Sequence, residues 1–227
     1  MSLNLMESSQ MSARANQQSQ PKSKSKERKR FSTEAFWDLH YWIYDFTWAV
    51  AQRNSYRTIA AETKKWDGCR VLEVGCGKGH IIEKFNPKAE YHLIDYSPIM
   101  VKATQEKRDQ LALEHIKTIT LQSALELQFP DQHFDRIICA HVLTVVPDLQ
   151  KAVSEIHRVL KPGGKLIVSN SYNSLRGKPA ELVNAITRRL GWFYNRDTSA
   201  TLVAGGFRRE RVLSRDFYEV SLFERID

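Results

Sequence analysis

The residues of this chain best placed to do chemistry are Glu73-x-Gly75-x-Gly77-x-Gly79, an acid and three glycines at alternate positions that close the apolar run beginning at Val71. Glycine accepts the backbone angles of a tight strand-to-helix turn, and a side chain at any of these glycines is expected to obstruct a ligand approaching the end of the strand. A dinucleotide loop needs a small residue at the sixth position of its glycine pattern, and His80 stands there instead. A second apolar run, Tyr91–Ile94, ends in Asp95. A carboxylate at that point is placed to accept hydrogen bonds from both hydroxyls of a ribose. The pattern therefore predicts a nucleoside ligand that carries no pyrophosphate.

The elements that must hold these residues follow from hydrophobic periodicity. Strands are predicted at Arg70–Val74, Tyr91–Ile94, near Thr118–Gln122, at Phe134–Ala140 and at Lys165–Asn170, with two more near Gly206–Arg211 and Tyr218–Glu224. Helices are expected over Ile81–Phe85, after a cap at Ser97 followed by Pro98, over Asp148–Leu160 and over Ala180–Leu190. Strands alternating with helices imply an α/β fold with right-handed crossovers. Pro162-Gly163-Gly164 reads as a turn before the fifth strand. No internal repeat is visible.

Composition sets the outer limits. At 227 residues the chain suits one domain large enough to bury its own core. Its three cysteines, Cys69, Cys76 and Cys139, have neither metal-type nor redox-type spacing, which predicts free buried thiols in a reducing cytoplasm and no metal. No apolar run reaches the length of a membrane span, and the start shows no signal-peptide pattern. The expected organisation is a disordered basic tail over residues 1–30, lid or membrane-binding helices over 31–66, and a catalytic domain over 67–227.

Charge is uneven along that plan. Lys22 to Arg30 holds six basic residues against Glu27, and Arg176 to Arg215 holds nine against three acids. The reading divides between solvated faces and contact with an acidic partner, either a phospholipid surface or a nucleic acid. Trp37, Tyr41, Tyr44 and Trp48 share one helical face, while Leu39, Ile43, Phe46 and Val50 share the opposite one. A helix apolar on two sides must bury both. One side suits a lid over the ligand, and aromatic rings beside lysines and arginines suit the interface of an anionic membrane through residues 22–50.

At four ordered stations between residues 68 and 170 the chain resembles the class I S-adenosylmethionine-dependent methyltransferases. These are Glu73–Gly79, Asp95-Tyr96-Ser97, Ser123–Glu126 with Phe129–Asp135, and Leu160–Leu166. The resemblance implies a Rossmann-like, doubly wound, seven-stranded and mostly parallel sheet with an N-terminal lid helix. It also implies S-adenosyl-L-methionine as methyl donor and S-adenosyl-L-homocysteine as product. The backbone of Gly75, Cys76, Gly77 and Gly79 is expected beneath the methionine part, with Glu73 anchoring the loop or the amino group. Asp95 is expected on the ribose, Tyr96 against adenine, and Ser123, Ala124 or Leu125 on the adenine edge. Ala140, His141 and Val142 are expected near the methyl group, and Tyr44 resembles a lid tyrosine that reaches the cofactor.

Ala140–Asp148 and Val168–Tyr172 resemble the soluble bacterial phosphatidylethanolamine N-methyltransferases, although Asn170-Ser171-Tyr172 departs from the Asn-His-Phe expected there. The acceptor implied is a phospholipid amine, at the cytoplasmic side of a membrane. Quinone methyltransferases share the four stations and are the alternative. An ammonium must lose a proton before it can attack, so His141 is the candidate base and Tyr172 the second candidate. The Asn/Asp-Pro-Pro-aromatic segment used to methylate base amino groups is absent, and His141–Val146 occupies its place. A nucleic-acid acceptor is therefore not expected.

Overall fold

Short, near-continuous apolar runs in the inner strands drive five parallel strands into one sheet, because a strand covered on both sides must bury residues on both of its faces. The structure, a computed structural model, describes residues 52–171, 198–216 and 218–226. Seven strands are present among the described residues: β1 (Arg70–Val74), β2 (Glu90–Asp95), β3 (Ile116–Leu121), β4 (Phe134–Ala140), β5 (Leu160–Ser171), β6 (Phe207–Arg215) and β7 (Tyr218–Arg225). Their order across the sheet is β3-β2-β1-β4-β5-β7-β6, with β7 antiparallel to both of its neighbours. Helices α1 (residues 52–63), α2 (Pro98–Gln110), α3 (Leu149–Val159) and α4 (Thr198–Ala204) accompany it.

Two buried clusters show that both faces of the sheet are covered. Leu72, Val74, Ile137, Cys139, Leu166 and Val168 point to the side of α3 and α4, where Ile156 and Leu202 are fully buried. Val71, Leu93, Ile138 and Ile167 point to the other side and pack with Ile59 of α1 and Val101 of α2. β1 and β4 are direct neighbours although β2 and β3 come between them in sequence. Their connections therefore leave in opposite directions, which opens a crevice at their carboxyl ends.

Several expectations need correction. Ile81–Phe85 is not a helix of several turns but one 3-10 turn, Ile82–Lys84. Phe85 is already extended, and Asn86, which precedes Pro87, is disfavoured in the helical region. The side chain of Asn86 instead donates to Asp67 at 2.7 Å and accepts from the Lys88 N–H at 3.0 Å. The segment expected as a turn before β5 is the irregular start of that strand, with Gly163 at φ 67°. Cys76 and Cys139 are buried free thiols as expected, but Cys69 is only half-buried.

The described part of the second basic run is paired within the fold. Arg208 meets Glu224, Arg209 and Arg215 both meet Glu219, and Arg211 meets Glu62 of α1. Exposed pairs of this kind add little stability, but they engage the charges an acidic partner would need. They also give the edge strand β6 a polar, aggregation-resistant rim. The basic tail, the aromatic residues 37–50 with Tyr44, Tyr172 and the run Ala180–Leu190 lie outside the described residues.

Candidate active site

The turn after β1 is built by its own backbone before any ligand is considered. The N–H groups of Gly75 and Cys76 both donate to Ile94 O of β2, at 2.8 and 3.0 Å. The Gly77 N–H donates to Asp95 Oδ2 at 2.8 Å, and Gly77 O accepts from Thr104 Oγ1 at 2.6 Å. Gly75, Gly77 and Gly79 all have positive φ, which disfavours any side chain there. Their steric reasons differ. A Cβ at Gly75 would lie 2.8 Å from Val142 Cγ2, and one at Gly79 would lie 3.0 Å from Ile82 and Thr104, so these two glycines permit packing within the protein. Only Gly77 faces open space, as a wall of the crevice.

That crevice is a cavity of about 230 Å³ at the carboxyl ends of β1, β2 and β4. Of the residues expected in the site, it is lined by Gly75, Gly77, Asp95, Tyr96, Ser123, Ala124, Leu125, Ala140 and His141. Glu73, Cys76 and Gly79 do not line it. Cys76 is buried with its sulfur 3.9 Å from Thr104 Oγ1, and Gly79 O accepts from Lys107. Val142, expected with Ala140 and His141, lines it as well, whereas Met100, Gln122, Val145, Val146 and Pro147 were not anticipated. The apolar spacing after His141 was the only signal for Val145, Val146 and Pro147.

Asp95 braces the turn that it borders. Besides Gly77, its Oδ1 accepts from the Ser97 N–H at 2.9 Å, while Ser97 Oγ caps α2. Burial pushes its carboxyl up, and the N–H donors of Ser97, Gly77 and Tyr96 oppose that shift. Glu73 is buried, and its Oε2 has no hydrogen-bond partner among the described residues. Burial first, and the nearby Asp95 second, push its pKa up to about 8. A buried carboxyl with no cation beside it among the described residues is a costly arrangement unless a cationic group compensates it.

The far wall is a loop held from behind. Ser123 Oγ accepts from the Leu125 N–H at 3.1 Å, which engages one of the two N–H groups expected to face the ligand and leaves that of Ala124. Arg158 of α3 donates to Leu127 O, Phe129 O and Asp131, each at 2.8 Å. Glu155 accepts from the Leu127 N–H at 2.8 Å and pairs with Arg158. These two residues clamp the loop, and the sequence reading did not single them out.

His141 holds the most unusual position. It is a non-glycine residue at φ 60°, a conformation of the kind concentrated at functional sites. Its N–H donates to Ser169 O at 2.8 Å, which pins it to β5. Tyr56 and Tyr218 approach its ring edge-on at 5.5 and 4.4 Å between centroids. Nε2 lies 2.9 Å from Ser55 Oγ and 3.2 Å from Ser169 Oγ. Burial pushes its pKa down to about 3, with no carboxylate among the described residues to favour the charged form.

A doubly wound sheet with a glycine turn at its switch point and an acid closing the next strand defines a nucleoside-binding protein of the Rossmann-like class. The family model for the methyltransferase domain matches residues 65–197, and the chain belongs to that family. A curated phosphatidylethanolamine N-methyltransferase of Cereibacter sphaeroides is 33% identical over 153 residues, 66% of this chain and 75% of that protein. A demethylmenaquinone methyltransferase of Anoxybacillus flavithermus is 34% identical over 104 residues, but the chain spans only 44% of its length. Among solved structures, a Bacillus subtilis protein superposes with a TM-score of 0.61 at 25% identity, covering 70% of this chain and 71% of that one. The protein is thus an S-adenosylmethionine-dependent methyltransferase.

The cavity fits that cofactor on its own terms. Gly77 leaves room where a Cβ would project, and the buried Glu73 Oε2, outside the cavity lining, has no hydrogen-bond partner among the described residues. Asp95 stands at the rim beside exposed Tyr96. When bound, the cofactor supplies a methyl group made electrophilic by its sulfonium. The protein's share is to orient an acceptor lone pair and keep water out.

Proposed function

We propose that this enzyme N-methylates the amine headgroup of a phospholipid, converting phosphatidylethanolamine toward phosphatidylcholine. The observation that carries this reading is the length of the alignment with the Cereibacter protein, which covers more of both chains than the quinone methyltransferase alignment does. The chemistry of the cavity supports it. Val142, Val145 and Val146 provide an apolar wall, and His141 is uncharged at neutral pH. A neutral imidazole does not repel an amine substrate held near a sulfonium.

In this reading Asp95 holds the ribose, Glu73 the amino group of the cofactor, and Ala124 N–H the adenine edge, with Tyr96 along the ring. Tyr44 and Tyr172 complete the site from segments outside the described residues, and residues 22–50 bring the protein to an anionic bilayer. No helix among the described residues is long and apolar enough to cross a membrane. In this reading the acceptor would enter as the free amine, its ammonium proton released to solvent because a neighbouring positive charge disfavours the ammonium form. The free amine would donate one N–H to His141, which would leave its lone pair directed at the methyl group that the cofactor supplies.

With a pKa near 3, His141 is a weak proton carrier but a competent hydrogen-bond acceptor. His141→Ala is therefore expected to lower kcat by roughly 100-fold, the size typical of a misplaced reactant, and by the same factor between about pH 6 and 9. A loss that grows sharply toward low pH would instead assign it as the base. The assignment of the acceptor is tested by supplying methyl-labelled S-adenosylmethionine with phosphatidylethanolamine in anionic vesicles, and separately with demethylmenaquinone. Label in monomethylated phosphatidylethanolamine is expected. Label in the quinone alone would replace this reading by the alternative.

A further inference from the structure

Helix α1 lies outside the segment matched by the family model, yet it touches the residue closest to the proposed chemistry. Ser55 is 1% exposed, and its hydroxyl donates to Gln52 O at 2.7 Å. Gln52 is itself buried, and its Oε1 accepts from Tyr56 Oη at 2.6 Å. Tyr56 in turn packs edge-on against the His141 ring. One turn of α1 thus forms a small polar unit that closes on His141.

A count of protons fixes how that unit reads the ring. A serine hydroxyl carries a single hydrogen, and that of Ser55 is directed at Gln52 O. Its oxygen, 2.9 Å from His141 Nε2, therefore serves as acceptor, and the proton in that contact belongs to the imidazole. Ser169, fully buried at 3.2 Å from the same nitrogen, offers a second oxygen to the same N–H. In a neutral imidazole with Nε2 protonated, Nδ1 carries the lone pair. Nδ1 has no partner among the described residues, and His141 lines the cavity.

We infer that Ser55 is a positioning residue that holds His141 as the Nε2–H tautomer, so that its Nδ1 lone pair is presented to the N–H of the acceptor amine. This rests on the reading of His141 as the contact for the acceptor. Placement of α1 and preparation of His141 then become one event, because the helix supplies the oxygen that selects the tautomer. No proton passes through Ser55.

The full-length protein labelled with nitrogen-15 histidine tests this by long-range proton–nitrogen correlation, with the His141 signals assigned by their loss in His141→Gln. The expected spectrum shows a protonated Nε2 and a bare Nδ1. Ser55→Ala should mix the tautomers and lower kcat by roughly 10- to 100-fold, with S-adenosylmethionine affinity unchanged, and Ser55→Thr should restore both signals and turnover. A proton on Nδ1 in the unaltered protein, or a Ser55→Ala spectrum identical to it, would overturn the inference. A shifted tautomer with unchanged kcat on the amine would support the tautomer assignment and overturn the placing of His141 at the acceptor.

Discussion

Asp95→Ala is expected to weaken S-adenosylmethionine binding by about 10- to 150-fold, the equivalent of about 1.5–3 kcal/mol for hydrogen bonds to a charged group. The carboxylate has two tasks that sequence spacing alone does not separate. It is proposed to face the ribose, and it already accepts from the N–H groups of Gly77 and Ser97. Removal leaves the Gly77 donor without its acceptor, so the turn that shapes the cavity floor should loosen as well. Calorimetric titration below the melting range measures the affinity, and chemical denaturation measures the loss of the brace. Unchanged affinity would refute the ribose assignment.

Glu73→Gln should show the second large effect, and its sign depends on pH. The carboxyl of Glu73 titrates near 8 in the folded protein, against an ordinary value of 4.5. A group whose pKa is raised by folding leaves stability intact below its unfolded value and erodes it as pH climbs through the folded value. The native protein should therefore lose stability on the order of a few kcal/mol between about pH 5 and 9 from this residue. Glutamine copies the protonated acid and should flatten that decline, so the variant is the more stable of the two at alkaline pH. Melting temperatures across the pH range decide this point.

Binding should move the other way. A cofactor ammonium beside Glu73 favours the carboxylate, so uptake of S-adenosylmethionine near neutral pH should release up to about one proton. Glu73→Gln should bind about tenfold or more weakly and release none. Titrations in buffers of different ionisation enthalpy count that proton. Binding without proton release in the native enzyme would place the cofactor's charge elsewhere.

Much of the framework was legible in the sequence because its signals are local. β1 and β4 coincide with short apolar runs buried on both faces, and Ser97 and Asp148 cap α2 and α3 through their own side chains. The crossover after the glycine turn was misread because Pro87 and the side chain of Asn86 override the helical propensity of five apolar and charged residues. The glycines were recognised as a turn, but their individual reasons depend on Val142 and Thr104, which only the folded chain brings near.

The chain's residue order by itself determined the class of fold, the nucleoside character of the ligand and the acid that closes β2, since period, turn chemistry and charge act over short stretches. Tertiary structure alone decided that Glu73 is buried with its Oε2 unpartnered among the described residues and that Arg158 clamps the cavity wall. It also decided that Ser55 meets His141 across 86 positions. Desolvation and hydrogen-bond pairing are properties of what surrounds a side chain, and no spacing rule along a strand or helix specifies surroundings supplied by a distant segment.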